Sequence, residues 1–141
     1  MKTISFRQDM IDLILAGKKT LTIRPIKPQP VLFDCPGLFG SIHYEWGGGV
    51  LAGNRNWLLQ QCPYGAEGDV VGVEESENLR LKITSVYAKR LDQVAAWQWS
   101  EDGLGYGKTV YKHWQSFYRG TEYEWKNRPF VWVIRFEVVK G

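Results

Sequence analysis

The sequence predicts a small mixed β-barrel of the α+β class, and three observations carry that prediction. Segments that alternate apolar and polar residues, the period of a half-buried strand, recur at both ends and in the middle of the chain. Segments with helical spacing stand between them. No internal repeat or low-complexity tract points to a solenoid or a fibrous chain. The 141 residues, 44% hydrophobic and 23% charged, fit one globular domain spanning 1–141.

Met10, Ile11, Ile14 and Leu15 recur at helical spacing, so Asp9 is read as the cap of a short helix and Gly17 as its stop. Lys18 to Arg24 then alternates, with Lys19, Leu21 and Ile23 against Thr20, Thr22 and Arg24, until Pro25 closes the strand. From Pro25 to about Gly68 the regularity fails, with three prolines in Pro25 to Pro30, then Gly47-Gly48-Gly49, then Cys62-Pro63-Tyr64-Gly65. A structureless loop of that length is improbable inside a compact domain. The stretch is therefore expected to hold an irregular insertion at about 31–61 with some local strands, anchored by aromatics such as Phe33, Phe39, Tyr44, Trp46 and Trp57.

Val70 to Glu74 is apolar and β-branched, and Leu79 to Tyr87 alternates Leu79, Leu81 and Ile83 against Arg80, Lys82 and Thr84; the two should pair in one sheet. Leu91 to Ala96 suggests a short helix. Thr109 to Arg119 suggests a longer one, with Val110, Trp114, Phe117 and Tyr118 on its apolar side and Gly120 as its stop. Pro129 to Val139 is apolar on both sides near its start, the pattern of a central strand.

The formal charge of +3 and a pI of about 8.9 are too mild to identify a nucleic-acid binder by total charge. No run of about 18 apolar residues exists and the N-terminus lacks an apolar signal core, so a cytoplasmic protein that neither crosses a membrane nor is secreted is expected. Cys35 and Cys62 cannot staple a secreted-type framework and are expected to stay thiols. Cys35, His43, Cys62 and His113 lack the close spacing of a zinc site, and Gly47-Gly48-Gly49 lacks the Lys-Ser/Thr of a phosphate loop, so no metal or cofactor is predicted.

Chemistry concentrates in Ala16-Gly17-Lys18-Lys19-Thr20-Leu21-Thr22-Ile23-Arg24-Pro25. Between Lys18 and Lys27 stand four basic side chains and no acid. Arg24 offers a planar fork for phosphate or carboxylate, Lys19 a mobile point charge, and Thr22 a hydroxyl that a neighbouring base can turn into a nucleophile. Strict alternation sets Lys19 opposite Thr22, so the two converge only if Lys19 belongs to the turn after Gly17. The competing reading is a solvated basic strand end. Tyr87, Trp97 and Trp99 can stack on a base or serve the core, and His113 can act as a base or simply pack on its aromatic helix.

The run Ile14 to Arg24, Lys-Pro-Gln-Pro at Lys27 to Pro30, Cys62-Pro63-Tyr64-Gly65 with Gly68-Asp69, and the terminal Trp132-Val133-Ile134-Arg135-Phe136 together resemble the ASCH domain. The resemblance is closest to versions carried by phages and prophages, and it leaves mainly Val31 to Gln61 unmatched. It implies a PUA-like β-barrel with peripheral helices and a cleft for RNA or a modified nucleoside. Some similar members are amidohydrolases that deacetylate 4-acetylcytidine, and others are reported as ribonucleases.

The hydrolase motif maps its Lys and Thr onto Lys19 and Thr22, with Arg24 as companion and Lys18 and Thr20 beside them; its Glu, from the helical segment after a middle strand, maps onto Glu101. In that implied chemistry Thr22 attacks the amide carbonyl, Lys19 assists proton removal or holds the oxyanion, and Glu101 passes a proton to the leaving amine. The alternative for Glu101 is a surface carboxylate beside a glycine turn.

Overall fold

The computed structural model describes residues 2–27, 29, 31–34, 42–46, 49–51, 62–103 and 108–139. In chain order the elements are β1 (Thr3–Ile4), α1 (Gln8–Leu15), β2 (Leu21–Pro25), β3 (Val31–Asp34), β4 (Ile42–Trp46), β5 (Gly49–Leu51), β6 (Val70–Val73) and β7 (Ser76–Arg90). A 3-10 turn (Leu91–Gln93), α2 (Ala96–Glu101), α3 (Lys108–Tyr118), a second 3-10 turn (Trp125–Asn127) and β8 (Phe130–Val138) follow. Five strands form a mixed sheet in the order β1-β6-β7-β8-β2, with β1 parallel to β6 and the other pairs antiparallel.

The fold class is α+β as predicted, but among the described residues the expected barrel does not close: β1 and β2 remain the two edges of the sheet. β1 is two residues long and pairs only with β6 among the described residues, while Arg24 of β2 reaches toward that edge with a side chain, donating from a terminal nitrogen to the Ser5 carbonyl at 2.6 Å. Between residues 31 and 51 the chain forms a separate antiparallel sheet, β3-β4-β5.

β8 is an inner strand between β7 and the edge strand β2, covered on both faces: Val131 and Val133 are buried toward one face while Trp132, Ile134 and Phe136 are buried toward the other. The first face packs Leu21, Ile23, Leu91, Trp99, Val110 and Trp114 from β2 and the helices. The second packs Phe6 from the segment before α1, Ile11 and Ile14 from α1, and Leu81 and Ile83 from β7, together with Cys62, whose thiol pKa burial pushes up. Burying apolar area at about 25 cal/mol per Å² on both faces makes large-to-small changes in this strand costly.

Three boundaries differ from expectation. The cap of α1 is Arg7, while Asp9 sits in the first turn and pairs with it. The predicted strand from Lys18 begins only at Leu21, because Lys18 and Lys19 both donate their backbone N–H to the Leu13 carbonyl and prolong the helix exit. The predicted helix over Leu91 to Ala96 is a 3-10 turn followed by α2, whose first free N–H, that of Ala95, is taken by the buried Gln98 side chain at 2.9 Å.

Candidate functional site

The turn between α1 and β2 builds the site. Gly17 adopts a φ of 74°, a left-handed conformation that ends the helix and that a β-carbon would disfavour. The reversal folds Lys19 inward instead of leaving it on a strand, so that Lys19 and Thr22, nominally on opposite faces, line one cleft together and are each 3% exposed. Its volume is about 250 Å³. Arg24 completes the floor: its Nε donates to Thr22 Oγ1 at 3.1 Å, and its guanidinium lies over the rings of Phe6, at 4.9 Å, and Tyr64, at 5.6 Å. The walls are largely aromatic, with Phe6, Trp99, Trp114, Phe117 and Tyr118.

The carboxylate facing Lys19 is Asp102. Lys19 Nζ forms a buried ion pair with Asp102 Oδ1 and also donates to the Asp102 carbonyl at 3.2 Å. Burial lowers the Lys19 pKa and raises that of Asp102, and in both cases the mutual attraction works against the shift. Gly103, next in sequence, has a φ of 88° and packs its α-carbon on this turn; an added β-carbon would come within 3.1 Å of Leu13 Cδ1 and 3.6 Å of Lys19 Cβ. A backbone bond from Thr20 N–H to the Glu101 carbonyl, 2.8 Å, ties the end of α2 to the start of β2.

The other predicted residues divide. Trp99 lines the cleft, buried and packed edge-on against Trp114. Glu101 is absent from the cleft lining and receives Arg135 at 2.5 Å, where both side chains are partly exposed. Lys18 and Thr20 are exposed and absent from the lining as well. Tyr87 and Trp97 border a second recess, of about 210 Å³, with Leu21, Lys89, Val133 and Arg135. The residues not anticipated are Asp102 and the Ser5-Phe6-Arg7 segment. Asp102 had no readable signal, since a carboxylate beside a glycine turn reads as solvated and only the structure buries it with Gln98. Ser5 and Phe6 had none, since they are held by Glu75, far along the chain: the Ser5 hydroxyl and the Phe6 N–H both donate to its carboxylate, which lowers the Glu75 pKa.

His113 stands in the cleft wall, edge-on to Phe117 with ring centroids 5.0 Å apart. Burial, and then the charges of Arg7 and Lys19, lower its pKa and favour the neutral imidazole. A neutral ring presents one donor and one acceptor. The arrangement as a whole offers a planar cation, a hydroxyl and a buried ammonium inside aromatic walls, a set suited to a flat polar ligand.

No family model matches the chain, and no curated protein does. Solved structures do. The ASCH domain of Lactobacillus crispatus JV V101 aligns over 97% of this chain and 78% of its own, with 17% identity and a TM-score of 0.52. A DUF984 protein of Enterococcus faecalis V583 aligns over 99% of this chain and 80% of its own, with 13% identity and a TM-score of 0.57. The hypothetical protein PH0355 aligns over 99% and 100%, with 17% identity and a TM-score of 0.56. The chain therefore has the fold of an ASCH domain. No helix among the described residues is long and apolar enough to cross a membrane.

Proposed function

We propose that this ASCH-type fold binds RNA or a modified nucleoside in the cleft formed by Lys19, Thr22, Arg24 and Asp102. One observation carries the reading: three polar or cationic side chains from a single turn and strand meet inside a recess whose walls are aromatic. The aromatic faces suit a base, which every nucleoside offers, and the remaining Arg24 N–H groups and the Thr22 hydroxyl suit its carbonyl and amine edge. Lys19, neutralised by Asp102, contributes N–H donors and shape to the cleft, and the cationic character comes from Arg24. Asp102 replaces Glu101 in this reading as the carboxylate that serves Lys19.

A second reading, deacylation of an acylated cytidine, is favoured by the Arg24 Nε bond to Thr22 Oγ1. A cation donating to that oxygen stabilises it as it loses its proton, leaving the hydroxyl hydrogen free to depart. Thr22 is then the nucleophile toward the amide carbon; its proton passes through the Lys19–Asp102 pair or His113, which share the cleft, to the leaving amine as the C–N bond breaks, and water releases the acyl group from Thr22.

The test is calorimetric binding of cytidine and 4-acetylcytidine to the wild type, Arg24→Ala and Thr22→Ala, with chromatography of the products. Arg24→Ala is expected to weaken binding by about 10- to 150-fold, the loss of charge-assisted hydrogen bonds. Cytidine released by the wild type and not by Thr22→Ala establishes the hydrolase. Binding that is indifferent to Arg24 removes the cleft from this reading.

A further inference from the structure

The second recess has a different character. Tyr87 and Trp97 expose 52% and 54% of their surface, whereas Trp99 and Trp114 are packed into the core. Two large aromatic faces left in water flank a floor of Leu21 and Val133, and two cations, Lys89 and Arg135, stand at the same recess. Arg135 holds Trp97 in place, its guanidinium 5.5 Å from the ring centre, while its charge is shared with Glu101. Lys89 donates to the Gln98 side-chain oxygen at 3.2 Å and has no carboxylate partner among the described residues, so its charge is available to an anion.

Tyr87 reaches this recess through a defect in the sheet. In β7, Ile83 lies opposite Phe136 and Ser85 opposite Arg135, which leaves Thr84 as an extra residue. Before it, Leu81 and Ile83 face the α1 side; after it, Val86 and Ala88 do, and Tyr87 and Lys89 are turned to the other face. Bulges re-aim side chains in this way, and they recur beside functional sites.

We propose that this groove binds single-stranded RNA, with a base stacked between or upon Tyr87 and Trp97 and its phosphate near Lys89, as an extension of the strand whose nucleoside occupies the cleft. The second half rests on the function proposed above. The two recesses flank one element, α2, which supplies Trp97 to the groove and Trp99 to the cleft. Single-strand grooves elsewhere combine the same parts, an unpaired cation for the backbone and aromatic platforms for the bases.

The experiment measures fluorescence anisotropy of a labelled, cytidine-containing RNA hexamer, and calorimetry of cytidine, with the wild type, Trp97→Ala, Trp97→Phe, Tyr87→Ala and Arg24→Ala, each checked for an unchanged melting transition. Trp97→Ala and Tyr87→Ala are each expected to weaken hexamer binding by about 5- to 150-fold, the worth of one stacked base, with cytidine affinity unchanged. Trp97→Phe retains a ring and is expected to recover most of the loss. Tyr87 and Trp97 lie on different elements, so a folding defect in one variant leaves the other to decide. Hexamer affinity unchanged in both alanine variants, or no hexamer binding by the wild type, overturns the proposal. A loss in both alanine variants with no effect of Arg24→Ala on either ligand keeps the groove and discards the cleft reading.

Discussion

Glu101 and Asp102 are consecutive residues that each pair with a cation, yet the two ion pairs stand in different media. Arg135 and Glu101 are 40% and 34% exposed; Lys19 and Asp102 are 3% and 7% exposed. In water the Coulomb term is small and salt screens it, so the first pair serves mainly to steady Trp97 and the end of α2. In the interior, desolvation opposes both charges, and each needs the other to be tolerated at all. One residue of helix rotation therefore separates an adjustable surface contact from a committed buried one, and the two recesses inherit that difference. The cleft is built on buried polar side chains already held by partners. The groove is open, and its aromatic faces are already in place.

The comparison breaks most visibly at Asp102. Asp102→Asn leaves the Lys19 ammonium buried without a counter-charge and is expected to destabilise the fold by about 3–5 kcal/mol in urea denaturation. Lys19→Met with Asp102→Leu removes both charges and is expected to restore most of that stability while abolishing ligand binding in the cleft. The pH dependence of wild type against this double variant has a defined sign. Lys19, lowered from 10.5, is more readily charged in the unfolded chain, so wild type gains relative stability as the pH rises from its folded pKa toward 10.5. Asp102, raised from 3.8, holds its proton better when folded, so wild type loses relative stability as the pH climbs from 3.8 through the raised value. A flat difference across pH would mean that the pair is solvated.

A smaller effect is expected next door. Gly103→Ala forces a side chain into a left-handed conformation at a φ of 88° and against Leu13, and should cost about 1–2 kcal/mol or somewhat more, read from the same denaturation curves. The smallest belongs to the exposed pair: Glu101→Gln is expected to change stability by no more than about 1 kcal/mol, and less as salt is added. A Glu101→Gln loss as large as that of Asp102→Asn would erase the distinction between the two sites.

Much of the frame was readable from residue pattern. Val131 and Val133 against Trp132 and Ile134 announced a strand buried on both faces, and the apolar spacing of Met10, Ile11 and Ile14 announced α1. These signals are local, because the period of a strand or helix is written in consecutive residues. The open sheet was not readable, since whether β1 and β2 meet depends on how two segments far apart in the chain are held, and Arg24 bridging to Ser5 is a tertiary fact. Within the site, the convergence of Lys19 and Thr22 hinged on where the turn after Gly17 ends, which only the bonds from Lys18 and Lys19 to Leu13 decide.

The sequence by itself determined the chemical inventory: a basic turn carrying Lys19, Thr22 and Arg24, an excess of aromatic rings, and Glu101 beside a glycine turn. Tertiary structure decided the assignments. A helix advances about 100° per residue, so Glu101 and Asp102 could not both face Lys19, and the packing of Gln98, Trp99 and Gly103 chose Asp102. A strand alternates strictly until a bulge intervenes, so strict alternation would leave Tyr87 with Leu81 and Ile83, and the extra residue at Thr84 turned it outward to the groove. Side-chain identity is a property of the chain, but which side chains share a recess depends on parity and rotation, and a single residue of slip or bulge inverts both.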